Sequence, residues 1–175
     1  MGEFSIGQPV TRLEDPRLLK GQGRYLDDIN YDRQLYAVIL RSPHAHAEIK
    51  SIDKTAAEAA PGVHAVFTGA DYRADGMGVV PCMGNYTQRD GSPMYIPDRP
   101  ALAVGKVMHI GYPVAMAVAE TEAQARDAIE LIDVDYNPLP VVISCYDAHL
   151  DGAPQLYDDC PNNESYFYDA GDKAA

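Results

Sequence analysis

Two segments of this chain, SIDKTAAEAAPGVHAVFTG and AETEAQARDAIELIDVDY, each run from an apolar extended stretch through an alanine-rich helical stretch into a second apolar one. Strand, helix, strand, written twice, commits the chain to sheets with helices packed on them. In the first segment Asp53 is placed to cap a short helix, KTAAEAA, which Pro61-Gly62 stops before the strand VHAVFTG. In the second, Thr121 opens a helix with Gln124 at the capping-box position, and Ala125, Ala128, Ile129 and Ile132 share the face that packs on a sheet. The likeness of the two segments reads either as a repeated supersecondary unit or as shared composition.

The remaining segments are placed around these units. QLYAVILRS, residues 34–42, is a nearly continuous apolar run of strand length, expected to be covered on both faces, and Pro43 ends its ladder for want of a donor. Residues 1–33 carry Pro16, Gly21 and Gly23 among charges and read as an irregular arm; Gly21-x-Gly23 has neither a preceding strand nor the rest of a phosphate loop. Residues 71–100, dense in Gly, Pro, Asp and Met, read as a long loop of the kind that serves as lid or interface. LAVGKVMHI and YPVAMAVAE read as two strands, and LIDVDYNPLPVV as another, interrupted by Pro138 and Pro140. From Asp151 onward turn formers mix with aromatics without a period.

Charge excludes some functions. The net charge is −12, so phosphate backbones and anionic lipid surfaces are repelled on average. No run approaches a membrane span, the start lacks a cationic flank with an apolar core, and Gly2 with Ser5 misses the myristoylation spacing by one position, so the expected location is the cytoplasm. Cys82, Cys145 and Cys160 are odd in number and far apart, which fits reduced thiols rather than a disulfide framework or a metal knuckle.

Catalytic constellations are weak. His44 and His46 lie two positions apart in LRSPHAHAEIKSID, and in an extended chain they would share a face, as two ligands of one metal must. His64, His109 and His149 each stand alone, with no acidic residue at ligand spacing, so a third ligand is missing. Cys82 has no base nearby in sequence, and no Gly-x-Ser-x-Gly elbow exists.

Taken in order, IGQPVTRLEDPRLLKGQGRYLDDI, LRSPHAHAEIKSID, APGVHAVFTGAD, GYPVAMAVAETEAQARDAIELIDVDYNPLP and PNN before GD resemble the N-terminal region of the molybdenum hydroxylase large subunit. This is the family of xanthine dehydrogenase, aldehyde oxidase and aerobic carbon monoxide dehydrogenase, and RLEDPRLL looks closest to the carbon monoxide dehydrogenase-like branch. The resemblance implies an α+β fold: an α/β-hammerhead domain of mixed sheets with two short packed helices and an irregular N-terminal arm. It divides the chain into the arm at 1–33, the hammerhead at 34–150, and a linker at 151–175 leading toward a molybdenum-binding domain, as in a piece excised from a longer subunit.

The implied activity of the whole subunit is oxidative hydroxylation, with water-derived oxygen inserted into substrate. Electrons leave through [2Fe-2S] centres in a small subunit to FAD in a medium subunit. In the family the molybdenum-pterin site and its catalytic glutamate lie downstream of this stretch, so no catalytic, cofactor-binding or metal residue is carried over. The expected role is scaffold and interface, with Arg12, Asp15, Pro16 and Arg17 in the arm, and Arg41, Ser42, Pro43, His44 and His46 at the strand end, as structural or contact residues. Two rivals are an independent binding module reusing the fold, and a small metal-dependent hydrolase built on His44 and His46.

Overall fold

A computed structural model describes Gly7 and residues 10–171. The Gly2 and Ser5 reading, the first motif's Ile6, Gln8 and Pro9, and the last four residues lie outside the described residues. The chain divides into two compact units at Gln34/Leu35.

The smaller unit is the arm. Among its described residues α1 (Asp15–Leu18) carries Pro16 in its first turn, where a missing N–H costs nothing. A 3-10 turn, Leu26–Asp28, is closed by the Asp28 carboxylate accepting from the Tyr25 amide at 2.9 Å. No residue of either turn is buried.

The larger unit contains two three-stranded sheets. Its elements are β1 (Tyr36–Arg41), β2 (Ala47–Asp53), α2 (Thr55–Glu58), β3 (Val63–Thr68), α3 (Gly69–Ala74), β4 (Lys106–Val107), β5 (Pro113–Ala119), α4 (Glu122–Glu130) and β6 (Asp133–Pro138). One sheet has the order β1-β5-β3 and the other β4-β2-β6. Each strand-helix-strand unit crosses between them: β2-α2-β3 starts in the middle of the second sheet and ends at the edge of the first, and β5-α4-β6 does the reverse. The two units are thus interlocked.

That crossing corrects the expectation of mixed sheets. Every strand pair is antiparallel, because a helix that carries the chain into the other sheet never returns it parallel to the strand it left. A second correction concerns β1, which is an edge strand with no fully buried residue, rather than a strand covered on both faces.

Small side chains let the layers approach. Ala57, Val66, Ala115, Ala117, Ala128 and Ile132 form one core where α2 and α4 meet the first sheet; Ala47, Ala103, Val107 and Val114 form the other. The face expected on α4 is the packed one: Ala125 and Ala128 are buried, Ile132 nearly so, and Ile129 lies against the cluster. Thr121 accepts from the Gln124 amide, and the Gln124 side chain returns to the Thr121 amide at 3.0 Å.

Two expected segments differ. The stretch expected as loop from residue 71 opens inside α3, whose cap is a reciprocal Thr68–Asp71 box, so the described residues of this unit hold three α-helices rather than two. LAVGKVMHI yields only the two residues of β4, since Gly105 takes a φ of +75° and turns the chain. No helix among the described residues is long and apolar enough to cross a membrane.

Candidate functional site

The strand-end motif connects β1 of the first sheet to β2 of the second. After Arg41 the backbone leaves the ladder, with exposed Pro43 at the bend. The Ser42 amide donates to the Tyr112 carbonyl at 2.9 Å, and its own carbonyl accepts from the Gly111 amide at 2.8 Å. Ser42 Oγ accepts from the His44 amide at 3.0 Å and donates to the His44 carbonyl at 3.1 Å, a tight turn held by one hydroxyl. Arg41 extends the knot by donating to the Gly111 carbonyl at 2.9 Å.

The two histidines separate because residues 43–46 are bent rather than extended. The His44 ring packs against Tyr136 at 4.8 Å between centroids. Burial pushes the Tyr136 phenol up, and a hydrogen bond with Ser42 partly offsets this. His46, 7% exposed, places Nδ1 3.0 Å from the Pro140 carbonyl oxygen, while its backbone carbonyl accepts from the Leu139 amide. A carbonyl oxygen only accepts, so Nδ1 carries the proton. Nε2 is enclosed with no protein partner. Among the described residues no three His, Cys, Asp or Glu side chains converge as metal ligands, and this geometry does not favour the metal-dependent hydrolase.

The arm residues make local contacts. Asp15 accepts from the Arg12 amide at 3.1 Å, Pro16 follows at the start of α1, and Arg17 pairs loosely with Glu14 at 3.8 Å. Leu13, Leu19 and Leu26 beside them are almost fully exposed.

A third cluster escapes local reading. The segment expected as a linker lies in the same compact unit as the hammerhead, with residues 157–167 fastened to the long loop. Thr87 bridges Phe167, the Tyr95 amide donates to the Ser165 carbonyl, and Ser165 Oγ returns to the Tyr95 carbonyl at 2.7 Å. Arg89 grips Glu164 through two nitrogens at 3.0 Å each and lies 4.0 Å over the Phe167 ring. Tyr86 stacks on Tyr166, and the Tyr95 hydroxyl donates to Asp159 at 2.6 Å. Burial first, then the hydrogen bond to Asp159 and its charge, drives the Tyr95 phenol well above its ordinary range. The aromatics of SYFYDA were the available signal, but their partners lie about 80 positions earlier. All three cysteines are free, and burial raises the Cys160 thiol.

The aldehyde oxidase and xanthine dehydrogenase a/b hammerhead domain matches residues 20–140. The nicotine 6-hydroxylase large subunit of Paenarthrobacter nicotinovorans is 41% identical over 158 residues, covering 90% of this chain and 18% of that protein. The carbon monoxide dehydrogenase large chain of Afipia carboxidovorans is 40% identical over 154 residues, 88% of this chain and 18% of that one. The crystal structure of quinoline 2-oxidoreductase from Pseudomonas putida superposes with a TM-score of 0.73 at 40% identity, over 90% of this chain and 19% of that chain. The chain therefore spans about a fifth of the length of these relatives. Two interlocked antiparallel sheets and a family match across most of the chain lead to one conclusion: it belongs to the aldehyde oxidase and xanthine dehydrogenase family and carries its α/β-hammerhead domain.

Proposed function

We propose that this chain is the N-terminal structural and interface domain of a molybdenum-pterin hydroxylase large subunit, carbon monoxide dehydrogenase-like, and performs no catalysis by itself. The observation that carries this reading is coverage: nine-tenths of the chain aligns with only a fifth of a large subunit. Among the described residues no three His, Cys, Asp or Glu side chains converge, and no chemical step is derived through that cofactor. In this reading molybdenum and pterin belong to the rest of the subunit, with [2Fe-2S] and FAD in small and medium partner subunits, and the assembly works in the cytoplasm.

The residues here hold and orient. Ser42, His44 and His46 brace the strand ends, and the arm from Arg12 to Arg17 and residues 71–100 present the contact surfaces. Irregular polar segments on a rigid frame are where contacts commonly form. Purified alone, the chain is expected to contain no stoichiometric molybdenum by elemental analysis and to oxidise neither carbon monoxide nor a heteroaromatic with dye as acceptor. Stoichiometric metal or turnover would overturn the reading. In the assembled enzyme, cross-linking is expected to tie Lys20 and the carboxylates of Asp90 and Asp98 to other subunits or domains; reaction with solvent quenchers alone would remove the interface role.

A further inference from the structure

A cleft of about 440 Å³ lies within the larger unit between the long loop, the β4–β5 connection and the tail. Val80, Met94 and Ile96 supply apolar lining, and Arg99, Tyr112 and Tyr157 supply polar groups. Burial raises both phenols, and the positive charge of Arg99 pulls each back, so the guanidinium is within electrostatic reach of both. Arg99, Tyr112 and Tyr157 all line this one cleft.

None of the three is committed elsewhere. Lys50, Lys54, Arg89, Lys106 and Arg126 of this unit each have a carboxylate partner; Arg99, like Arg41 and Arg73, has none among the described residues, although the chain carries a net charge of −12. Neither the Tyr112 nor the Tyr157 hydroxyl has a hydrogen-bond partner among the described residues, and neither is fully enclosed. Tyr95, on the same wall, is different: its hydroxyl is already given to Asp159.

We propose that this cleft binds a carboxylate carried on an aromatic or other apolar stem. One guanidinium matches one negative charge and offers paired N–H donors to a planar carboxylate. Tyr112 and Tyr157 donate their O–H groups to its oxygens, and Val80, Met94 and Ile96 take the stem. The volume suits a small ligand or a single inserted side chain. The assignment is independent of the role proposed for the whole domain.

Benzoate is the probe, with benzamide as its neutral counterpart, titrated into this chain by calorimetry or NMR. Benzoate is expected to bind at least tenfold more tightly than benzamide. Arg99→Gln is expected to weaken benzoate about tenfold, or about 1.4 kcal/mol. Arg99→Lys should lose less, and Tyr112→Phe with Tyr157→Phe several-fold, while the circular dichroism spectrum and urea midpoint stay unchanged. A blocked Phe-Glu-Leu tripeptide, whose side-chain carboxylate is its only charge, identifies the source. Tighter binding than benzoate with the same Arg99 dependence assigns the cleft to a protein side chain; weaker binding assigns it to a free small carboxylate. No benzoate binding up to about 20 mM, equal affinity for benzamide, or an unchanged Arg99→Gln variant in a folded protein would overturn the proposal.

Discussion

His46 and Pro140 meet across 94 positions of sequence, the imidazole Nδ1–H donating a hydrogen bond to the proline carbonyl at 3.0 Å. This single bond ties the entry to β2 to the exit from β6, beside the backbone bond from Leu139 to the His46 carbonyl. The relationship gives this histidine a structural role: a compact ring N–H donor within an otherwise packed junction.

Removing that donor strands the Pro140 carbonyl. His46→Ala is expected to cost about 1–3 kcal/mol, read as a lower urea midpoint with unchanged slope. His46→Asn, which keeps a donor close to the position of Nδ1, should cost less. Equal midpoints for Ala and wild type would show that the bond contributes nothing.

Gly69 offers a steric test. A Cβ there would overlap the Ala103 carbonyl oxygen, a backbone atom that cannot swing away. Gly69→Ala should destabilise by about 1–3 kcal/mol, with larger residues worse. An alanine variant as stable as wild type in denaturant would contradict this close approach.

Lys54 links the start of α2 to β3 and α3: Nζ donates to the Val66 carbonyl at 2.8 Å and to Asp71 at 2.9 Å, with Glu58 nearby. The hydrogen bonds from Lys54, then Thr68, hold the Asp71 carboxyl below its ordinary 3.8; burial pulls Lys54 down, but its bonds to Asp71 and Glu58 outweigh this and hold it above 10.5. A lowered carboxylate contributes stability above its unfolded value and loses it as pH falls through the folded one. A raised lysine contributes below its unfolded value and loses it as pH climbs through the folded one. The link is therefore complete between about pH 4 and pH 10. Asp71→Asn should flatten the acid limb of stability against pH, and an unchanged limb would refute the assignment.

Arg89 tests the tail clasp. Both partners are partly exposed, so the ion pair and ring contact together are worth about 1 kcal/mol. Arg89→Ala should speed hydrogen exchange of the Phe167 amide, which donates to the Thr87 carbonyl, about fivefold. Exchange in β5 should stay unchanged. Equal protection at Phe167 in both proteins would show that the backbone bridge suffices.

Local chemistry was legible wherever it is carried by neighbours in sequence. The Thr121 cap, the alanine face of α4 and the break at Pro43 follow from period, capping and the missing proline donor. The helix α3 left the same signature, Thr68 followed three positions later by Asp71, but the glycine and aspartates around it read as loop. The same-face premise for His44 and His46 failed because Ser42 Oγ folds the chain back on itself, and an extended geometry was assumed. The tail clasp and the Arg99 cleft join residues from distant segments, which no periodicity within one window registers.

Because each helix hands the chain from one sheet to the other, neither half of this domain closes a sheet by itself. A ribosome delivers β2 and β3 long before β5 and β6, so the emerging polypeptide holds unpaired edges until Pro138 is out. For the same reason a cut between Thr68 and Lys106 leaves two fragments that must find each other, making complementation of split halves a natural assay of this topology.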